Sequence, residues 1–219
     1  MRIVAVSDTH GMHSQLKIPP GDVLVHAGDF TAAGGVDGLI QLNQWLEMLP
    51  HRHKLIIAGN HDFCLEGHPE IGKTALTNAI YLQDEAVTVD GVRFYGSPWQ
   101  PRFMDLAFNL TRGEALRKKW DMIPEGVDVL VTHCPPRGIL DASSGGEEVG
   151  CEELRRAIKR VTPKLHIFGH VHESWGRVEI GETTFANASI CDASYRPVND
   201  PIVIDVTVGE AGSGWAVDR

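Results

Sequence analysis

The sequence predicts an α/β fold in which two mixed β-sheets pack face to face with helices outside, a four-layer α/β/β/α arrangement. Three observations point there. Five short apolar runs read as buried strands and end abruptly in polar residues, stretches of helical periodicity lie between them, and two segments carry the glycine-containing turn of a β-hairpin. Strands alternating with helices build a largely parallel sheet, and the hairpins add antiparallel pairs.

Residues 3–6 read as the first strand and open into Ser7-Asp8-Thr9-His10. Residues 23–25 run into His26-Ala27-Gly28-Asp29, and after them Leu39, Leu42, Leu46 and Leu49 recur at helical spacing. Residues 55–58 lead to Gly59-Asn60-His61-Asp62. A hairpin follows, 86–89 and 92–95 about Asp90-Gly91, and then a helix carrying Leu116, Trp120 and Ile123. Residues 129–132 meet His133; Leu154, Ile158 and Val161 mark another helix; residues 165–168 meet Gly169-His170-Val171-His172. A second hairpin, 177–180 and 183–186 about Gly181-Glu182, precedes a last strand at 202–208, while residues 143–146 and the tail 209–214 read as loops. In parallel sheets ligands gather outside the carboxyl ends of the strands, so this topology brings all five polar clusters to one place.

A chain of 219 residues fits one domain, taken as 1–219. Such a chain buries roughly 70% of its unfolded surface and needs no disulfide staples. Hydrophobic residues at 42% and charged residues at 22% describe a soluble globular protein. No apolar run approaches the roughly 20 residues of a membrane helix, and a strand-like run begins at once without a secretory leader. The chain is therefore expected in the cytoplasm and away from membranes. Lys+Arg 20 against Asp+Glu 29 leaves a net charge of −9, which offers no basic footprint for duplex nucleic acid. Small substrates fit better, and the oligomeric state stays open. Cys64, Cys134, Cys151 and Cys191 form no CxxC pair, as suits free thiols in a reducing compartment.

The strand-end clusters contain seven groups able to hold a metal: Asp8, His10, Asp29, Asn60, His133, His170 and His172. One ion of ordinary coordination number leaves some unused, whereas two ions sharing a bridging carboxylate use them all. Nitrogen and oxygen donors without thiolate favour Mn²⁺, Zn²⁺ or Fe. The signal is specific: GHxH arises by chance about 0.06 times and GNHD about 0.002 times in a chain of this composition.

The ordered blocks Asp8-Thr9-His10, Gly28-Asp29, Gly59-Asn60-His61-Asp62, His133 and Gly169-His170-Val171-His172 resemble the calcineurin-like metallophosphoesterase superfamily over essentially the whole chain. Further stretches are similar to its branch of metallophosphoesterase-domain small phosphodiesterases. They are Pro20-Gly21-Asp22-Val23-Leu24, Ala27-Gly28-Asp29-Phe30-Thr31, Gly96-Ser97-Pro98-Trp99-Gln100-Pro101, Thr132-His133-Cys134-Pro135-Pro136 and Asn187-Ala188-Ser189. The resemblance implies the calcineurin-like fold. It places Asp8, His10 and His172 on a first metal, Asn60, His133 and His170 on a second, and Asp29 between them. Mn²⁺ is the first choice of metal, with Zn²⁺, Fe or Co²⁺ as alternatives. Some members of the branch lack the first His of GHxH; His170 is kept here, so a full second site is expected.

The implied reaction is hydrolysis of a phosphodiester, a cyclic nucleotide or an aryl diester, by in-line attack of a metal-activated water. His61, spare by ligand count, is expected to give a proton to the leaving oxygen, and Asp62 to orient it. The alternatives are a phosphomonoesterase or Ser/Thr phosphoprotein phosphatase, or a non-catalytic binding scaffold. A scaffold predicts degraded ligands, and a monoesterase favours cationic clamps that the motif blocks lack.

For substrate contacts, Asn60 and His61 are expected to reach the phosphate, and Phe30, Phe63, Trp99 and Phe103 are candidates for an apolar wall. Trp99 is preferred because Pro98 and Pro101 stiffen its loop, and Arg102 or Arg137 is expected to reach phosphate oxygens. His13, His51, His53 and His68 are expected to face solvent, and His26 and His166 to be hydrogen-bonded in the core. Asn187 either supports the metal shell or caps a turn, and Cys134 is expected to be an inert buried thiol.

Overall fold

The computed structural model describes residues 1–32, 34–207 and 216–217. Runs rich in Val, Ile and Leu become strands buried on both faces. In the first sheet β1 (Arg2–Val6), β2 (Val23–His26), β3 (His53–Ile56) and β4 (Ile80–Tyr81) run parallel. The second sheet contains the antiparallel edge strand β5 (Glu85–Val89) beside β6 (Val92–Ser97). A small parallel ladder joins β7 (Gln100–Pro101) to β8 (Asn109–Leu110). The second sheet continues in parallel through β9 (Val129–Thr132) and β10 (Leu165–Phe168). Its far edge is β11 (Gly176–Ile180), antiparallel to β12 (Thr183–Asn187). Finally β13 (Ile202–Thr207) and β14 (Ala216–Val217) complete the first sheet, whose order is β14-β13-β1-β2-β3-β4; the second runs β11-β12-β10-β9-β6-β5.

The period-2 alternation of each strand sorts its side chains between two cores. Ile3, Ala5, Val23, Val25 and Leu55 meet Phe94, Val129, Val131, Leu165 and Ile167 between the sheets. Val4, Val6 and Leu24 face outward onto Leu39, Leu42, Trp45 and Leu46 of α1 (Val36–Glu47). The helix α2 (Pro69–Ala75) lies on the same side. On the opposite outer face Tyr95, Leu130 and Phe168 meet Leu116 and Trp120 of α3 (Glu114–Trp120) and Leu154 and Ile158 of α4 (Glu152–Val161). Four layers result, as expected.

Several local expectations need correction. The helices carrying Leu49 and Ile123 stop before those residues, and the strand at 55–58 starts earlier and ends at Ile56. The last strand is described to Thr207, and the tail 209–214 lies outside the described residues. The first hairpin is as expected, with Asp90 at φ 47° and Gly91 at φ 84° matching the turn that suits strand twist. All four cysteines are free. His13 and His51 are buried rather than solvent-facing, because His13 packs on Trp45 and Nε2 of His51 meets the Pro19 carbonyl at 3.0 Å.

His26 and His166 are fully buried, each with Nε2 on a threonine hydroxyl. Thr132 Oγ1 donates to the Cys134 carbonyl at 2.8 Å and therefore accepts from His166 Nε2 at 2.8 Å. Nδ1 of His166 then carries only a lone pair, the less costly atom to leave unpartnered. Burial pushes the His166 ring down to about 3. A histidine held neutral by folding stabilises fully above its unfolded pKa, and that stability is lost as pH falls below about 6.5, at up to about 1.4 kcal/mol per pH unit. Resistance to urea should fall between pH 7 and pH 5, and His166→Gln should flatten that slope; an unchanged slope would mean the ring is protonated in the fold.

Candidate metal centre

The carboxyl ends of β1, β2, β3, β9 and β10 emerge at one edge of the sandwich, where the two sheets are stitched together. Ser7 N donates to the Ala188 carbonyl at 2.8 Å and Ile190 N to the Ser7 carbonyl at 2.9 Å, so the loop after β1 crosses to the second sheet. Asp8 N donates to the Gly28 carbonyl and His10 N to the Asp29 carbonyl, both at 2.9 Å, which runs the first two polar loops side by side. Asp8, His10, Asp29 and His170 all stand in the left-handed region, at φ 54°, 44°, 56° and 70°. Such backbone is unfavourable for residues with a Cβ and persists where surrounding structure over-determines it.

Ligand-type atoms converge there in three overlapping triads: Asp8, His10 and His172; His10, Asp29 and His61; and Asp8, Asp29 and His133. His172 Nε2 lies 3.4 Å from Asp8 Oδ1 and 3.3 Å from His10 Nε2. His133 Nε2 lies 3.5 Å from Asp29 Oδ2 and 2.9 Å from Asn60 Oδ1. His170 is set slightly apart: its ring centre is 5.2 Å from that of His133, and it joins none of the triads. All seven residues picked out by the strand ends thus meet in one cluster, with His170 at its rim.

The donor set fits divalent cations. Asp8 and Asp29 are buried carboxylates, which fold stably only against positive charge or strong donors. His133 and His172 each donate Nδ1–H to a backbone carbonyl, of Ala27 and Asp192, both at 2.9 Å. This fixes the tautomer and leaves Nε2 as the atom presented to the cluster. Burial alone lowers the basicity of both rings, but Asp29 pushes His133, and Asp8 pushes His172, up to about 9. Conversely, burial opposes ionisation of Asp8, yet His172, His133 and His10 hold it well below the usual carboxylate range. His10 and His170, without so close a carboxylate, are pushed by burial down to about 4 and about 3.

Glycine is required beside the ligands. Gly28 sits at φ 101°, and a Cβ there meets His133 Nδ1 at 2.6 Å; a Cβ on Gly169 strikes the Asp8 carboxylate. Around Asp8, Ser189 Oγ lies 2.9 Å from Oδ2 and 2.8 Å from Asn187 Oδ1, while Asn187 Nδ2 donates to the Leu140 and Val171 carbonyls. Asn187 therefore supports the shell around Asp8.

Asp62 does not orient His61. Its carboxylate accepts from Asp29 N at 2.9 Å, Gly59 N at 2.8 Å, and Thr31 N and Oγ1 at 3.0 and 2.8 Å, which ties the loops after β2 and β3 together. Burial, and then the charge of Asp29, push it up to about 7. His61 is steered instead by the Ala32 carbonyl, 3.4 Å from Nδ1, and its own N–H donates to Asp29 Oδ1 at 2.7 Å.

The expected substrate contacts divide. Phe30 is fully buried in the α1 core and Trp99 points its Nε1 at Asp84, under Lys119, so neither walls the site. Arg137 is engaged by Glu148 and Glu152. Arg102 pairs with Asp105 at 2.8 Å but borders a cavity of about 490 Å³ that also touches Phe103 and His170. Phe63 is exposed. Tyr195, which no motif marks, packs edge-on against His10 with ring centres 4.7 Å apart.

The family model described as Calcineurin-like phosphoesterase matches residues 1–174. Human metallophosphoesterase domain-containing protein 1 is 47% identical over 230 residues, covering 94% of this chain and 71% of that protein. A UPF0046 protein of Caenorhabditis elegans is 38% identical over 239 residues, covering 95% of this chain and 60% of its own length. Among solved structures, a Thermus thermophilus protein shares the fold with a TM-score of 0.59 at 14% identity, over 85% of this chain and 88% of that one.

If Asp62 staples the loops rather than acting on substrate, Asp62→Ala leaves buried donors unpaired and should lower the unfolding free energy by about 2–4 kcal/mol in urea titrations. His61→Ala should change it by less than about 1 kcal/mol. Equal stability of the two variants would remove the staple.

Proposed function

Because the chain belongs to the calcineurin-like phosphoesterase family, we propose that this metal-dependent phosphoester hydrolase is a phosphodiesterase for small esters, cyclic nucleotides or aryl diesters. The ligand sets are Asp8, His10 and His172 for one ion and Asn60, His133 and His170 for the other, with Asp29 between them. Mn²⁺ is the first choice, and Zn²⁺, Fe or Co²⁺ satisfy the same donors. Two divalent ions held by these residues would supply an acidified water and neutralise phosphoryl oxygens.

The chain's own residues supply the rest. The Asn60 amide is held by His133 on the face of the cluster beside His61. The His61 side chain is 20% exposed, and its Nε2 stands 4.0 Å from Asp29 Oδ2. With Nδ1 turned to the Ala32 carbonyl, Nε2 is the atom left to hold a proton for the leaving oxygen.

The diester assignment is carried by the arginines. Arg102 is paired with Asp105, Arg112 with Glu152, Arg137 with Glu152 and Glu148, and Arg196 with Asp192. A monoester dianion is best served by guanidinium groups aimed at the phosphate, and these four are each turned to a carboxylate instead. With net charge −9, duplex nucleic acid is an unfavourable partner. Free cysteines suit the cytoplasm as the working compartment.

The deciding experiment compares bis-p-nitrophenyl phosphate with p-nitrophenyl phosphate, using metal-stripped protein with and without Mn²⁺ and Asp29→Asn as control. Faster metal-dependent diester turnover, lost in the variant, is the expected result. A monoester preference would make the protein a phosphatase, and silence on both esters with two metals bound would mean a narrow substrate or a scaffold. His61→Ala should lower kcat by about 10²–10⁴-fold with metal content unchanged; loss of metal from that variant would make His61 a ligand instead.

A further inference from the structure

Tyr195 and Phe103 sit on the imidazoles of the two different ligand sets. The Tyr195 ring is edge-on to His10 at 4.7 Å and to His172 at 5.4 Å. The Phe103 ring is edge-on to His170 at 5.6 Å. Tyr195 is 48% exposed and Phe103 47%, so each keeps an open face after making these contacts.

The backbone that carries each ring is fixed by hydrogen bonds. Tyr195 stands at φ 58°, a conformation disfavoured for any residue with a Cβ. Tyr195 N donates to the Asp192 carbonyl at 2.8 Å, the same oxygen that accepts from His172 Nδ1 at 2.9 Å. The Asp192 carboxylate takes the N–H groups of Ser194 and Arg196, both at 2.9 Å. On the other side, Asn109 Oδ1 accepts from Phe103 N at 3.1 Å, and its Nδ2 donates to the Phe103 and Met104 carbonyls at 3.2 and 3.1 Å. A cavity of about 490 Å³ lies beside Phe103 and His170, and a second of about 440 Å³, lined by His172, Ser194 and Arg196 but not by the Tyr195 ring itself, adjoins it at Glu173.

We propose that Tyr195 and Phe103 are the specificity-determining residues of this site, each packing one organic group of the substrate. The preferred substrate class is then an acyclic phosphodiester with a planar aromatic or heteroaromatic group on each side of phosphorus. A cyclic diester, whose two ester oxygens share one group, fills only one end. This assignment rests on the phosphodiesterase reading above. Edge and face contacts of aromatic rings are directional and add to simple area burial, so removing either ring acts on aromatic groups selectively.

The test is calorimetric binding of diphenylphosphinate and dimethylphosphinate to the Mn²⁺-loaded full chain. Both are monoanions whose P–C bonds are not hydrolysed. The diphenyl compound should bind at least about 10-fold more tightly, and Tyr195→Ala and Phe103→Ala should each reduce that ratio by about 3–10-fold. Tyr195→Phe should retain the ratio, and Tyr195→Leu, which keeps bulk without a ring, should lose it; circular dichroism checks the fold of each variant. An equal affinity for the two probes, or a ratio that survives either alanine variant, overturns the two-ended frame. Turnover of bis-p-nitrophenyl phosphate reports separately on the phosphodiesterase reading. A diester hydrolase with an insensitive ratio loses only the frame, and an inactive protein with a sensitive ratio loses only the activity.

Discussion

Two carboxylates buried where the sheets meet, Asp8 and Asp29, are the constraint on which the rest of this molecule depends. A buried, ionised carboxylate is costly unless positive charge and donors surround it. The surrounding strand ends supply both. Imidazoles of His172 and His133 face the carboxylates, His170 N donates to both oxygens of Asp8, and His61 N donates to Asp29. These partners come from the ends of β3, β9 and β10, so the two sheets must hold a single relative position for the charges to be compensated. Divalent cations, of which the family binds a pair, would answer the same electrostatic demand that the imidazoles of His133 and His172 meet.

That demand also explains why the backbone is unusual where it is. A left-handed Asp8 or Asp29 has no local advantage, but it turns a strand-end side chain back toward the seam. Asp62 resists the resulting tension from below, since its one carboxylate ties the loop bearing Asp29 to the loop bearing Asn60. Asp62 is thus a partner of the centre without facing substrate. Its worth is positional, because a small separation of the two loops moves Asp29 and Asn60 apart together.

The sandwich and the seven candidate ligands are legible in the sequence because both are local signals: apolar runs with period 2, and polar residues immediately after them. Asp62 is not legible in the same way. Adjacent to His61 in the chain, it invites a side-chain pair, but its partners Thr31 and Asp29 arrive through the register of β2 against β3. Phe30 and Trp99 fail for a related reason. An aromatic residue near a motif can point either way, and Phe30, directly after left-handed Asp29, turns into the α1 core. His13 and His51 show that a polar sequence neighbourhood does not predict exposure when a loop folds back on a helix or a proline carbonyl. Tyr195 lies in a loop without periodicity, and hydrogen bonds to Asp192 help bring it to the centre.

The division of labour at the mouth of the site follows from charge. The protein as a whole is acidic at −9, and the arginines bordering the cluster are neutralised by their own carboxylates. Fixed protein charge therefore does little to attract an anion, and the long-range field repels a dianion more strongly than a monoanion. Attraction is left to the ligand cluster itself, which acts at short range on whatever reaches it. Under the proposed reading, discrimination between phosphate esters would pass from charge to shape, with the rings of Tyr195 and Phe103 at the mouth. Such a pocket would gain selectivity from what flanks the phosphorus on both sides, the feature that separates diesters from monoesters.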